Sequence, residues 1–354
     1  MADRASGGLL ATQDGRGPVS GWRGLLTRYR GGPRAVTGER RGWLYRLAVA
    51  ATAVGCIGAV VVALAALVPV WPLGLLVHFR VQCAVASLAI AGCSAGLRMW
   101  RWFGGATSAA LLHLLVLVPD LARCQRPAPA GGVKVRVLVL NVHTESTSFA
   151  QVRALIDDLR PDVIGLVEVD DRWIAGVAPA LTGYAGRVEK SRVDNFGVAL
   201  YARAPLAGGI EYFDAEVPSA VGTVMIGGAP LTIVLTHPVP PVSASAAREQ
   251  LRELEAIAVR ARELPGPLVV MGDLNATPWS RAFQRLVSSS GLCDSRAGFG
   301  VQASFPVTMP MMRIPIDHLL ASCSIGIADR RVERDVGSDH LPVVIDLVVP
   351  AARR

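Results

Sequence analysis

Pro267-Leu268-Val269-Val270-Met271-Gly272-Asp273-Leu274-Asn275 decides how this chain is read. An apolar run of strand length ends in a carboxylic acid and, two residues on, an amide. Side chains alternate along an extended strand, so Asp273 and Asn275 are expected to leave the tip on the same side. The acid can take a proton, and the amide can hold a polar atom at the same spot. The bland alternative is a turn in which both side chains cap the backbone. The pattern recurs, however. Asn141 ends the run 135–140, Glu168 ends 163–167 and His237 ends 231–236. Asp317 follows Ile314-Pro315-Ile316, and Asp339-His340 precede the run 343–348. Any one motif reads best as an ordinary turn or strand edge. Together they complement one another, and polar residues at several strand tips are how α/β enzymes build sites.

Working outward, amphipathic stretches are expected as helices at 149–159, 245–264 and 279–287. In the second, Arg248, Glu249, Arg252, Glu253 and Glu255 form the solvated face and Leu251, Leu254 and Ile257 the apolar one. Strands interleaved with helices define an α/β domain over 133–350.

What precedes it differs in composition. Residues 1–43 are rich in Gly, Arg, Pro and Ser without apolar periodicity and read as a disordered basic tail. Residues 44–121 hold three apolar runs, 47–70, 81–97 (extendable by 73–79) and 103–118, which read as membrane spans. His113 in the third is expected to be packed and hydrogen-bonded. The run 122–132, with Pro127 and Pro129, reads as a linker. Arginines crowd the tail and the connector Arg98-Met99-Trp100-Arg101. By the positive-inside rule both are cytoplasmic, so three spans deliver the catalytic domain to the outer side of the membrane.

The whole chain carries a formal charge of +8, yet from Lys134 onward 22 Lys+Arg face 24 Asp+Glu. The basic excess belongs to the membrane end, and the α/β domain lacks a nucleic-acid footprint. The six cysteines make no metal-binding spacing. Cys293 and Cys323 are the two in the α/β domain and could pair outside the cell. Cys124 reads as a juxtamembrane free thiol.

As chemistry, Glu168 offers an oxygen ligand to a hard cation such as Mg2+. Asp273 can accept a proton from water, Asn275 can place that water or a phosphate oxygen, and His340, oriented by Asp317, can donate to developing negative charge. This is a kit for hydrolysing a phosphate ester.

At Leu140-Asn141, Val167-Glu168-Val169, Asp194-Asn195-Phe196-Gly197, Thr236-His237, Gly272-Asp273-Leu274-Asn275, Pro315-Ile316-Asp317-His318 and Ser338-Asp339-His340-Leu341-Pro342 the chain resembles the endonuclease/exonuclease/phosphatase superfamily, the DNase I-like fold. The resemblance covers 133–349. It implies a two-sheet α/β sandwich, here preceded by three transmembrane helices. It implies Mg2+ or Mn2+ held by Glu168, with Asn141 and Asp339 assisting. It assigns Asp273 and Asn275 to the nucleophile, His340 with Asp317 to the scissile phosphate, His237 to the phosphate or leaving group, and Asn195 to support. The usual acidic partner of His237 is not evident, Glu189 being the nearest guess. Ser304-Phe305 stands where Thr-Trp or Thr-Phe is commoner.

The three spans look like an actinobacterial membrane-bound branch that includes VanJ-type glycopeptide-resistance proteins. That likeness implies a lipid-linked (polyprenyl) pyrophosphate as substrate and the lipid bilayer as partner. Two other readings remain open: a membrane-tethered extracellular nuclease or phosphodiesterase, and a catalytically silent binding module.

Overall fold

A computed structural model describes residues 34–65, 71–125, 127–214 and 216–351. In chain order the strands are β1 (Val133–Asn141), β2 (Val163–Val167), β3 (Gly186–Lys190), β4 (Val198–Ala202), β5 (Leu206–Tyr212), β6 (Pro218–Ile226), β7 (Ala229–Leu235), β8 (Leu268–Asp273), β9 (Leu292–Asp294), β10 (Asp317–Ser322), β11 (Gly326–Val332) and β12 (Val343–Val349). The helices are α1 (Arg34–Ala65), α2 (Leu73–Leu76), α3 (Arg80–Gly96), α4 (Trp100–Leu121), α5 (Phe149–Leu159), α6 (Asp171–Val177), α7 (Ala244–Glu263) and α8 (Arg281–Ser290). One sheet runs β11-β12-β1-β2-β4-β3 and the other β5-β6-β7-β8-β10-β9. Only β1 with β2 and β7 with β8 pair in parallel among the described strands, and each pair is joined through one helix, α5 or α7. The expected two-sheet α/β sandwich is what forms.

Period-two alternation explains the layers. Val135, Val137 and Val139 of β1 meet Leu231, Ile233 and Leu235 of β7 and Val269 and Met271 of β8 in the core between the sheets. Leu138 and Leu140 point the other way, onto α5 and α6 with Leu155 and Trp173. Val234 and Val270 lie under α7 and α8 with Leu254, Ile257 and Phe283. Both faces of these strands are covered, which is why they read as unbroken apolar runs.

The same parity aims the site. Asn141, His237, Asp273 and Asp317 share the inward face with Val139, Leu235, Met271 and Leu319. Glu168 has the wrong parity, since Ile164 and Leu166 face outward. It adopts the left-handed conformation, φ 62°, and this redirects the chain at the tip of β2.

Three helices are long and apolar enough to cross a membrane: Tyr45–Leu64, Leu73–Gly96 and Trp100–Leu121. The expected tail falls mostly on residues outside the described set, but helix α1 already begins at Arg34, so 34–43 are helical rather than irregular. Residues 66–70 of the first expected span lie outside the description. His113 is buried as expected, but neither ring nitrogen has a hydrogen-bond partner among the described residues. The chain divides into compact units at Ala51/Thr52, so α3, α4 and the catalytic sandwich share one unit.

The segment expected as a linker lies against the sandwich. A Cβ on Gly326 would come within 2.5 Å of Ala128 Cα, and one on Gly298 within 2.6 Å of Gln125 Cγ. Asp120 at the end of α4 pairs with buried Arg296 at 2.5 Å, and Arg296 also meets Asp294 at 3.3 Å. A buried pair of this kind resists separation because removing either partner strands a charge. Cys293 and Cys323 form a disulfide with Cα atoms 5.4 Å apart, while Cys124 is a free, exposed thiol.

Candidate active site

Strand ends converge between the two sheets. β1 and β2 bring Asn141 and Glu168, and the ends of β7 and β8 bring His237 and Asp273. Asp317 was expected at the end of an apolar run; instead it opens β10. Antiparallel pairing places Asp317 directly opposite Asp273, so a strand start meets a strand end. His340 reaches the cleft in the same way, from the loop entering β12, which is antiparallel to β1.

Asn141 knits the centre. Its Nδ2 donates to Glu168 Oε1 at 2.7 Å and to Asp273 Oδ2 at 3.1 Å. His237 donates from Nδ1 to the Asp273 carbonyl at 3.0 Å, and its Nε2 stands 3.4 Å from Glu168 Oε1. His340 Nδ1 pairs with Asp317 Oδ2 at 2.8 Å, leaving Nε2 3.6 Å from Asp273 Oδ2. The Ser304 hydroxyl donates to the same Asp317 oxygen at 2.5 Å, and the Phe305 ring lies 4.5 Å from that of His340. The Ser-Phe departure therefore keeps both a hydroxyl donor and an aromatic cover.

The electrostatics separate two carboxylates of similar chemistry. Burial would raise Glu168, but the hydrogen bond and charge of His237 and the Asn141 amide outweigh it and hold Glu168 at about 2. Burial raises Asp273 and Asp317 adds to this, outweighing the opposing His340 and His237. Burial would lower His340, yet the charges of Asp317 and Asp273 raise it to about 10. Burial likewise opposes, and Glu168 and Asp273 together bring about, a rise of His237 to about 9. Environment rather than residue type sets the protonation states.

Asn275 is not on the strand, because β8 stops at Asp273. Asn275 takes φ 50°, its N–H donates to Asp273 Oδ1 at 2.9 Å, and its side chain donates to the Pro238 carbonyl at 3.0 Å. The turn reading and the functional reading thus hold together: one Asp273 oxygen caps the turn and the other faces the cleft. Gly272 is required beside it, since a Cβ there would lie 1.9 Å from the Thr236 carbonyl oxygen. Glu168, Asn275 and His143 all adopt positive φ, a concentration of strain typical of functional sites.

Two expected residues are not brought in. Asn195 sits exposed and makes no side-chain contact with the cluster among the described residues, although the neighbouring Phe196 ring is 5.7 Å from His237. Glu189 stands on the exposed side of β3, the sheet edge two strands from β2, so it cannot partner His237. Two residues were missed. His143 Nδ1 stands 3.9 Å from Glu168 Oε2 and 3.6 Å from Asp339 Oδ1. Glu253, read as part of the solvated face of α7, is 1% exposed, with the Val239 backbone as the donor facing its carboxylate. Burial pushes it to about 7, with His237 opposing. The available signal was spacing: position 253 lies four residues before Ile257, on the stripe that α7 buries.

The donor set fits a hard cation. Glu168, just past β2, and Asp339, in the loop before β12, both stand near one imidazole, His143, and offer the oxygen donors a hard cation prefers. Among the described residues, the grouping whose three ligand atoms lie within 4.8 Å of one another is Asp273, Asp317 and His340. Asp317 and His340 already bond each other, so an ion in that grouping would have to displace their bond.

Known structures share this fold. A mannosyl-6-phosphatase of Bacteroides thetaiotaomicron is 19% identical with a TM-score of 0.52, over 60% of this chain and 99% of that one. A D. rerio TDP2 complexed with a single-strand DNA product is 17% identical with a TM-score of 0.50, over 60% and 98%. The human Nocturnin catalytic domain with a bound sulfate anion is 18% identical with a TM-score of 0.50, over 61% and 95%. No curated protein sequence matches the chain. The sequence profile described as the endonuclease/exonuclease/phosphatase family matches residues 138–340, a span holding every residue of the cleft. The chain belongs to that family.

Proposed function

We propose that the chain is a membrane-anchored, metal-dependent phosphohydrolase whose site lies outside the cytoplasm and acts on a lipid-linked pyrophosphate. The carrying observation is the convergence of a low-pKa carboxylate, Glu168, with a high-pKa carboxylate, Asp273, and a carboxylate-paired histidine, His340. Glu168, with Asn141 and Asp339, would hold Mg2+ or Mn2+, which when bound supplies charge neutralisation at the phosphate. Asp273 takes a proton from the attacking water, and its burial makes it a better base than an ordinary aspartate. Asn275 places the water or a phosphate oxygen. His340, held protonated by Asp317, donates to the charge that develops on phosphate, and His237 would serve the phosphate or the leaving oxygen.

Placement outside the cell is supported by arginine in the tail and in the α3–α4 connector, and by the Cys293–Cys323 disulfide, which suits an oxidising compartment. A lipid substrate is supported by the spans, by the near-neutral catalytic domain and by the likeness to VanJ-type proteins. Full-length protein in detergent with Mg2+ is expected to release phosphate from polyprenyl pyrophosphate and to leave short DNA intact. DNA cleavage with an inert lipid would replace this reading by a tethered nuclease. A reporter fused after Pro350 is expected to be active outside the cell only.

A further inference from the structure

A groove of about 600 Å³, mostly apolar, runs beside the catalytic loop 274–279. Trp71 and Leu75 line one side; Ala244, Ala247 and Leu251 of α7 and Ala282 of α8 line the other. The first side is pinned to the catalytic domain. Trp71 Nε1 donates to the Pro241 carbonyl at 2.9 Å, Trp279 Nε1 donates to the His78 carbonyl at 3.3 Å, and Thr277 N–H donates to His78 Nδ1 at 3.3 Å. Gln250, also in the lining, donates to the carbonyls of Leu274 at 3.1 Å and Asn275 at 2.8 Å. The segment that positions Asn275 is therefore also part of the groove's frame.

What fills the groove follows from its walls. Leu75 and His78 belong to the candidate span Leu73–Gly96, so one wall of the groove is built from a helix long and apolar enough to cross a bilayer. Val242, next in sequence to the lining residue Pro241, is an exposed apolar side chain, and so are Met309 and Met311 of another loop, the last 88% exposed. Their loop is tied to α3 by Gln82 Nε2, which donates to the Arg313 carbonyl at 2.8 Å. Exposed Arg248 and Arg281 add positive charge to a lining that is otherwise mostly apolar. Apolar length with a cationic margin matches an anionic amphiphile; a water-soluble phosphate would use none of it.

We propose that this groove holds the hydrocarbon chain of the lipid phosphate whose head group is hydrolysed at Asp273, a specificity device that rests on the lipid reading above. The test compares polyprenyl pyrophosphate with isopentenyl pyrophosphate on the full-length protein. Ala247→Trp fills the groove and is expected to lower the long-to-short ratio of kcat/KM at least about tenfold, by excluding buried methylenes. An unchanged ratio would overturn the proposal. If wild type hydrolyses neither lipid, the functional reading fails, and the groove is then judged by photolabelling alone. A diazirine-bearing polyprenyl phosphate is expected to label peptides carrying Trp71, Ala247 or Ala282. Labelling elsewhere, or equal displacement by excess phosphatidylglycerol, would overturn it even if Ala247→Trp failed to fold.

Discussion

In each sheet a parallel pair of strands is joined across one helix, and the residues at the strand ends turn into the same cleft. From β1–α5–β2 come Asn141 and Glu168; from β7–α7–β8 come His237 and Asp273. The constructions are alike and the products differ. Glu168 keeps an opening to solvent, is offered an amide and an imidazole, and stays ionised at about 2. Asp273 is buried beside a second carboxylate, Asp317, and its pKa rises. On the proposed reading the first half supplies the cation ligand and the second the base. Two carboxylates, driven apart by burial and neighbours, take two roles.

The comparison is broken most severely at the point where the halves meet. Asp273→Asn is expected to lower kcat about a hundred- to ten-thousandfold in steady-state phosphate release. A loss below about tenfold would remove Asp273 from the chemistry. Next, the halves should fail differently. Glu168→Gln is expected to raise the Mg2+ concentration for half activity about ten- to a hundredfold. His340→Gln is expected to cost about a hundredfold or more in kcat at an unchanged Mg2+ midpoint. Equal shifts of the midpoint would erase the division of labour.

A smaller effect lies in pH. His340 rises from 6.5 to about 10 on folding, so its contribution to stability is complete below about 6.5 and is lost as pH rises through about 10. Glu168 falls from 4.5 to about 2, so its contribution is present above about 4.5 and is lost as pH falls through about 2. Calorimetry of metal-free protein should show Tm declining between about pH 6.5 and 10, and in Asp317→Asn the decline should be smaller and end at lower pH. An alkaline limb that does not move would uncouple His340 from Asp317. Least for activity, Cys293→Ser should cost about 2–4 kcal/mol of stability by opening the 30-residue separation in the second half, with kcat kept. A large loss of kcat would mean that the disulfide shapes the cleft itself.

Much of this was legible. The strand runs, the helices near 149–159 and 245–264, and the acids and histidines at the tips could be read because alternation and amphipathic period are local properties. The misreadings have one cause. Asp317 looked like a strand end and proved a strand start, and Asn275 looked extended and proved left-handed. Glu253 looked solvated and proved buried, and Glu189 looked like a partner and proved remote. Each depends on which strand lies beside which, or on which helix face meets the sheet.

By itself the sequence determined the kit: a metal-type carboxylate, a base, an amide, two histidines, and three apolar helices ahead of them. Composition and period suffice for that, because they select residue types and local conformation. Only the tertiary structure decided that Glu168 and Asp273 carry opposite pKa shifts, that His143 stands between Glu168 and Asp339, and that the second span is seated against the catalytic loop through His78. Those outcomes are set by distances between segments far apart in the chain. Charge–charge interaction and desolvation depend on such distances and on burial, neither of which is written in any one stretch of residues.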